Sequence, residues 1–294
     1  MKSNIQIIYK FGLLAIILVA LNYIYKYTFY EKDLITHSDV IENVRQVPQN
    51  TDILYIGESS NTTASENDID KRSISGITQD FFPALHVHDI TKPASHAGIY
   101  KELLKNIPSN HQISTLIVTL NLRSFNAQWI YSRQETSLQK SLVLIKQFPP
   151  LVNRFLLSFK AYEIKSDAER TLQFKEKWEN DILKFPYPFP HKNVTEWDYY
   201  QAVVGIKDAN GKRDKEKTIL ACHYIKAYAF QIDTAHHVRL VDFNDIIDFA
   251  KDRGWNIAFN LLAENTDKAQ QLVGDDLIYL MDENRIKLTK YFED

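Results

Sequence analysis

Cysteine is almost missing from this chain. Cys222 is the only one in 294 residues, so no intrachain disulfide and no cysteine-based metal site can form. An excess of either charge is missing too. Lys and Arg total 35 against 37 Asp and Glu, a net charge of -2, and no dense Lys/Arg tract supplies the field that nucleic acid requires. Nucleic acid is therefore not expected as a partner. A Gly-rich phosphate loop is absent, which leaves nucleotide use unsupported. His86 and His88, and likewise His236 and His237, come without a carboxylate at metal-ligand spacing, so neither a metal nor a cofactor is expected. There is no internal repeat and no low-complexity segment.

What is present is globular material, 45% hydrophobic and 24% charged, enough for one large α/β domain or two small ones. It begins with an apolar stretch. Lys2 and Lys10 precede Phe11 to Ile24, and apolar character resumes from Tyr27 to Tyr30. Basic residues before an uncharged run make a signal peptide or a signal anchor. No small-x-small cleavage site follows, and the tyrosines suit a membrane interface, so residues 1–30 read as an uncleaved single-span anchor. The expected orientation puts the N-terminus inside and the body on the extracytoplasmic side. Residues 31–50 then read as a juxtamembrane spacer closed by Pro48.

The stretch Asp52 to Asn61 organises the remainder, 51–294. Ile53 to Ile56 form a short apolar run that stops at Gly57, where Glu58, Ser59 and Ser60 follow. This is a buried strand ending in a turn, and its carboxyl end is where open α/β sheets bind ligands. A polar loop whose serines cap the next helix is the plainer reading of the same residues. Helical spacing over 73–82, a strand over 84–90, a helix over 99–107 and a strand over Thr115 to Leu120 follow in order. Strand alternating with helix predicts a mostly parallel sheet with helices on both faces. Right-handed crossovers then place Ser59, the Ser95 to Gly98 loop and Asn121 on one edge. Residues from about 129 to 235 read as a helical insertion. A fourth strand is expected at 255–262 and a last helix at 277–292.

Taken in order, these loops resemble the conserved blocks of the SGNH (GDSL-like) hydrolase superfamily. Gly57-Glu58-Ser59 looks like its Gly-Asp-Ser block, with Glu58 in place of Asp and Ser59 at the nucleophile position. Gly98 sits where the second block supplies a backbone N–H, and Asn121 where the third supplies an asparagine. The resemblance covers about 52–126. It implies a three-layer α/β/α sandwich of flavodoxin-like type, Ser59 as nucleophile, and oxyanion donors at the Ser59 and Gly98 amides and the Asn121 side chain. Arg123 would bind a substrate anion or pair with Glu58.

The general base is the difficulty. The family places Asp-x-x-His after its last strand, and no such block follows the fourth strand here. Three readings stay open: a truncated copy, a non-catalytic relative, or another histidine in the role, with His96 the candidate. The expected function is a membrane-anchored esterase or acyltransferase acting on an acylated envelope glycan or lipid. The alternative is an inactive scaffold or binding protein on the same fold.

Overall fold

In the computed structural model of the chain, the described residues are 2–37, 39–64, 66–131, 140, 142–146, 148–162 and 165–293. Short runs of β-branched and large apolar residues form strands β1 Ile53–Gly57, β2 Val87–Thr91 and β3 Thr115–Leu120. Two-residue strands β4 Ile206–Lys207 and β5 Arg213–Asp214 pair antiparallel around the Asp208 to Gly211 turn. Strand β6, Asn256–Leu261, completes a four-stranded sheet of order β2-β1-β3-β6. All three pairings in that sheet are parallel.

Parallel pairing in level register decides where the loops emerge. Gly57 stands opposite Thr91, and Leu120 opposite Leu261, so all four strands deliver their carboxyl ends to one edge. Central β1 is buried along its whole length, as a strand in a sheet covered on both faces must be. The Tyr55 hydroxyl accepts from Thr119 Oγ1 and Asn260 Nδ2, each at 2.9 Å. One phenol thereby ties β1, β3 and β6 together just below the edge.

Gly57 is required there by close approach. A Cβ at this position would stand 2.4 Å from Thr119 Oγ1 and 3.1 Å from the Tyr55 ring. Both neighbours are held in the bond just described. We expect Gly57→Ala to cost about 1–3 kcal/mol, the usual range for forcing an extra carbon into a packed site. Urea denaturation of the two proteins measures it, and equal midpoints would show that the strand end yields freely.

The segment expected as a spacer belongs to the domain. Helices Tyr30–His37 and Asp39–Arg45 put Leu34, Val40, Ile41 and Val44 into the core, and Val47 just after them joins it. The mildly helical pattern of 31–49 is real, and its apolar residues pack on the domain instead of spacing it from the membrane helix. The N-terminal helix runs Lys2–Thr28, and Ile5–Thr28 is long and apolar enough to cross a membrane. The expected insertion carries helices at Pro150–Ser158, Asp167–Asn180, Val194–Val204 and Lys215–Tyr228, with a non-helical run over 181–193 and the β4–β5 pair between the last two; residues 132–139, 141, 147, 163 and 164 lie outside the described residues. Helices Val238–Asp252 and Asp275–Glu293 flank β6 in the chain. A further short helix, Thr266–Leu272, starts where the Asn265 side chain accepts from Lys268 N.

Candidate functional site

The turn after β1 points Glu58 inward and leaves Ser59 half-buried. Glu58 is 6% exposed, and its Oε1 accepts from Asn121 Nδ2 at 2.5 Å and from Ser60 Oγ at 2.8 Å. The ends of β1 and β3, which the topology brings to one edge, are therefore joined side chain to side chain. Asn121 Oδ1 in turn accepts the Arg123 amide at 3.0 Å, which fixes the amide's orientation and turns its nitrogen toward Glu58. Ser59 Oγ makes no hydrogen bond among the described residues, whereas its carbonyl accepts from Thr62 and Thr63.

The β2 loop reaches the same edge. Ser95 is buried, and its hydroxyl is shared between Gly57 O at 3.1 Å and Lys92 O at 2.7 Å. Asn61, also buried, accepts from Ser75 N and donates toward Ser75 Oγ, Asp89 Oδ2 and Thr91 Oγ1. It stitches the turn after β1 to the end of β2. Glu58, Ser95, His96, Tyr100, Thr119 and Asn121, with Ser124, Trp129 and Phe243, enclose a cavity of about 10 Å³, room for a single water-sized group. Ser59 does not line it.

Three expected roles do not match this geometry. His96 is the N-cap of the helix Ala97–Leu104: its Nδ1 accepts the Gly98 N–H at 3.1 Å and stands 2.5 Å from Arg239 Nη1. With the Nδ1 lone pair taken by these donors, the neutral ring carries its proton on Nε2, so neither nitrogen is free to take a serine proton. For the same reason the Gly98 N–H is committed to His96 rather than presented to an oxyanion. Arg123 does not pair with Glu58, and no ion pair joins them among the described residues. Its charge acts instead on Glu264, Tyr228, Tyr224 and His223.

Residues that sequence reasoning passed over complete the edge. Arg239, 4% exposed, comes from the helix Val238–Asp252. Its Nη1 contacts His96 Nδ1 and Asp242 Oδ2, and its Nε donates to Ser124 O at 3.1 Å. One guanidinium thus bridges the loops after β2 and β3. Burial pushes the Asp242 carboxyl up, against the pull of Arg239 beside it. Beyond β6, Glu264 accepts from the Tyr228 hydroxyl at 2.5 Å. Burial raises its pKa as well; Tyr228 and Arg123 oppose the rise, and the charge of Glu58 adds to it. Four strand ends therefore contribute polar groups to one edge. Among the described residues no group of three or more His, Cys, Asp or Glu side chains could hold a metal ion.

His237 anchors the helix that carries Arg239. Its Nδ1 accepts the Arg239 amide at 3.2 Å, and its Nε2 meets Phe125 O at 3.0 Å. The neutral ring satisfies both contacts. Burial, aided by the charges of Lys177 and Arg239, pushes its pKa down from 6.5 to about 4. The unfolded chain gains this proton as the pH falls through 6.5, and the folded chain resists until about 4. The stability it contributes is complete above 6.5 and lost across that window, on the order of 2–3 kcal/mol. Urea denaturation at pH 7 and pH 4.5 tests this: His237→Asn, which keeps a cap, is expected to show a shallower loss than the wild type. An equal loss in both would place the acid sensitivity elsewhere.

The fold and site define an α/β protein with a polar constellation on the carboxyl edge of a four-stranded parallel sheet, preceded by one helix able to span a membrane. No protein-family model, curated protein or solved structure matches the chain.

Proposed function

We propose that the chain is a membrane-anchored enzyme of SGNH type, an α/β/α sandwich that uses Ser59 for ester hydrolysis or acyl transfer. Its substrate on this reading is an acylated envelope glycan or lipid on the extracytoplasmic side. The observation that carries the reading is the Glu58–Asn121 hydrogen bond at the edge of the sheet, beside a half-buried serine whose hydroxyl is uncommitted. Asn121 has a second amide hydrogen to offer a developing oxyanion, and such donors are effective because they are oriented before the charge appears. The sheet holds Ser59 at the end of a rigid strand, as a nucleophile requires. His96 serves in this account as a positioning residue for the loop after β2 and not as the base.

A second reading has its own support. The His96 and Gly98 groups that would serve chemistry are engaged with each other, which suits a scaffold or binding protein that keeps the edge without turnover. A fluorophosphonate, which phosphonylates activated serines, separates the two. The enzyme reading expects labelling that Ser59→Ala abolishes and Ser60→Ala retains. A folded protein that takes up no reagent supports the binding reading instead.

A further inference from the structure

We propose that the helix Pro150–Ser158 is a second membrane contact, lying in the bilayer interface beside the N-terminal helix and seating the α/β domain on the lipid surface. The proposal rests on the N-terminal helix spanning the membrane and is independent of the serine site.

This short helix has two apolar faces. On one, Leu157 is buried and Leu156 packs on the core. Buried Asn153 donates on the same side to Leu144 O at 3.0 Å and Lys146 O at 2.8 Å, so that face belongs to the domain. On the other, Val152 is 42% exposed and Phe155 49%, with Phe148 at 54% just before the helix and Phe159 at 81% just after it. Val152 and Phe155 fall at i and i+3 of the helix and Phe159 follows at i+7, one helical stripe, with exposed Phe148 just ahead of the helix in the chain. Exposed phenylalanines scattered singly call for no explanation, but a contiguous stripe marks a contact surface.

The neighbouring structure identifies what covers it. The Leu151 N–H donates to Asn22 Oδ1, inside the apolar N-terminal helix, at 3.0 Å. Arg154 Nε pairs at 2.8 Å with Asp33 Oδ2, which also accepts the Tyr25 hydroxyl at 2.8 Å. Helix Pro150–Ser158 is therefore docked against the N-terminal helix near its end. Depth follows from helix geometry. At 1.5 Å per residue, the rise from Ile5 to Asn22 is about 26 Å, close to the ~30 Å thickness of a hydrocarbon core. The docking point lies near the far boundary of the hydrocarbon, where interfacial helices rest with their apolar side a few ångströms deep. Tyr23, Tyr27 and Phe29, all more than half exposed, surround the same boundary as an aromatic belt does. Lys146 and Lys160 bracket the stripe in the chain, and cations at the ends of an apolar stripe can reach lipid phosphates while their stems stay in contact with the acyl boundary.

The test uses the full chain with Cys222→Ser, so that one introduced cysteine carries an environment-sensitive nitrobenzoxadiazole dye. Labelled F155C and F159C proteins, with V152C as a second probe of the same face and N210C at the exposed β4–β5 turn as reference, are reconstituted into phosphatidylcholine/phosphatidylglycerol vesicles. Circular dichroism confirms the fold of each. Shallow nitroxide lipids are expected to quench the dye at 152, 155 and 159 about twofold or more, with blue-shifted emission, and to leave the dye at 210 unchanged. Water-like, unquenched emission on the stripe of a folded protein overturns the proposal. Blue-shifted emission without quenching also overturns it, since a second copy or another protein then covers the face. Stronger quenching by deep than by shallow nitroxides overturns the interfacial placement.

Discussion

Ser59→Ala is expected to lower ester turnover at least ~10³-fold while leaving the melting temperature unchanged. Removing the nucleophile of a serine hydrolase leaves only what binding and oxyanion donors achieve alone, and measured losses reach ~10⁶. The fold is spared because Ser59 Oγ is half-buried and makes no hydrogen bond among the described residues, so its loss leaves no partner unsatisfied. Ser60→Ala supplies the contrast. Ser60 donates to buried Glu58 at 2.8 Å, and deleting that bond costs on the order of 1 kcal/mol of stability with turnover retained. Ester hydrolysis by both variants beside the wild type measures the difference. Equal turnover in Ser59→Ala and wild type would remove Ser59 from the chemistry, whatever the motif around it.

Arg239→Ala is expected to destabilise the protein by about 2–4 kcal/mol, somewhat below the range for deleting one member of a fully buried ion pair, because the arginine is buried and its carboxylate partner only half-buried. The guanidinium is 4% exposed and its partners belong to three separate segments: His96, Ser124 and Asp242. Without it, the half-buried Asp242 carboxylate loses its cation, and the loops after β2 and β3 lose their common tie. The pH dependence identifies the cause. Burial already holds the Asp242 pKa above its ordinary 3.8 despite Arg239, and removing the arginine raises it further. A protonated carboxyl does not need the cation, so the stability difference between variant and wild type narrows as the pH falls from 7 toward the raised pKa. Arg239 also helps hold the His237 pKa down, so the variant loses less stability at His237 in acid, which narrows the difference in the same direction; repeating the comparison in a His237→Asn background isolates the Asp242 part. Urea denaturation at pH 7 and pH 5 measures both quantities. A deficit below 1 kcal/mol, or one that widens in acid, would contradict the bridging role.

Much of this arrangement is legible before any coordinates. The run Thr115 to Leu120 is bounded by polar residues and rich in β-branched side chains, and it forms a strand over the same residues. Strand–helix alternation dictates a parallel sheet, and a parallel sheet dictates that the turns after Gly57 and Leu120 share an edge. That the turns carrying Glu58 and Asn121 open on the same edge follows from topology; the hydrogen bond between the two side chains does not, and the sequence offers Arg123 as the partner of Glu58 instead. What sequence cannot show is a partner supplied from a distant element. Arg239 is 143 positions from His96, and nothing in either neighbourhood announces the pairing. His96 therefore reads as a loop histidine beside a glycine, when its Nδ1 is spent on capping a helix and meeting an arginine. Glu264 is hidden in the same way, three residues past an edge strand and made notable only by Tyr228 and Arg123. The stretch 31–49 reads as mildly helical, but its many charged residues make it look like a spacer, although the side of Leu34, Val40, Ile41 and Val44 is wholly buried.

A crystal structure of the protein after saturating fluorophosphonate treatment tests the central claim most directly, because it locates the reactive hydroxyl and its donors together. The account predicts phosphorus bonded to Ser59 Oγ, with a phosphonyl oxygen about 3 Å from Asn121 Nδ2. An adduct on Ser60 or another residue, or folded protein with no adduct, would contradict it.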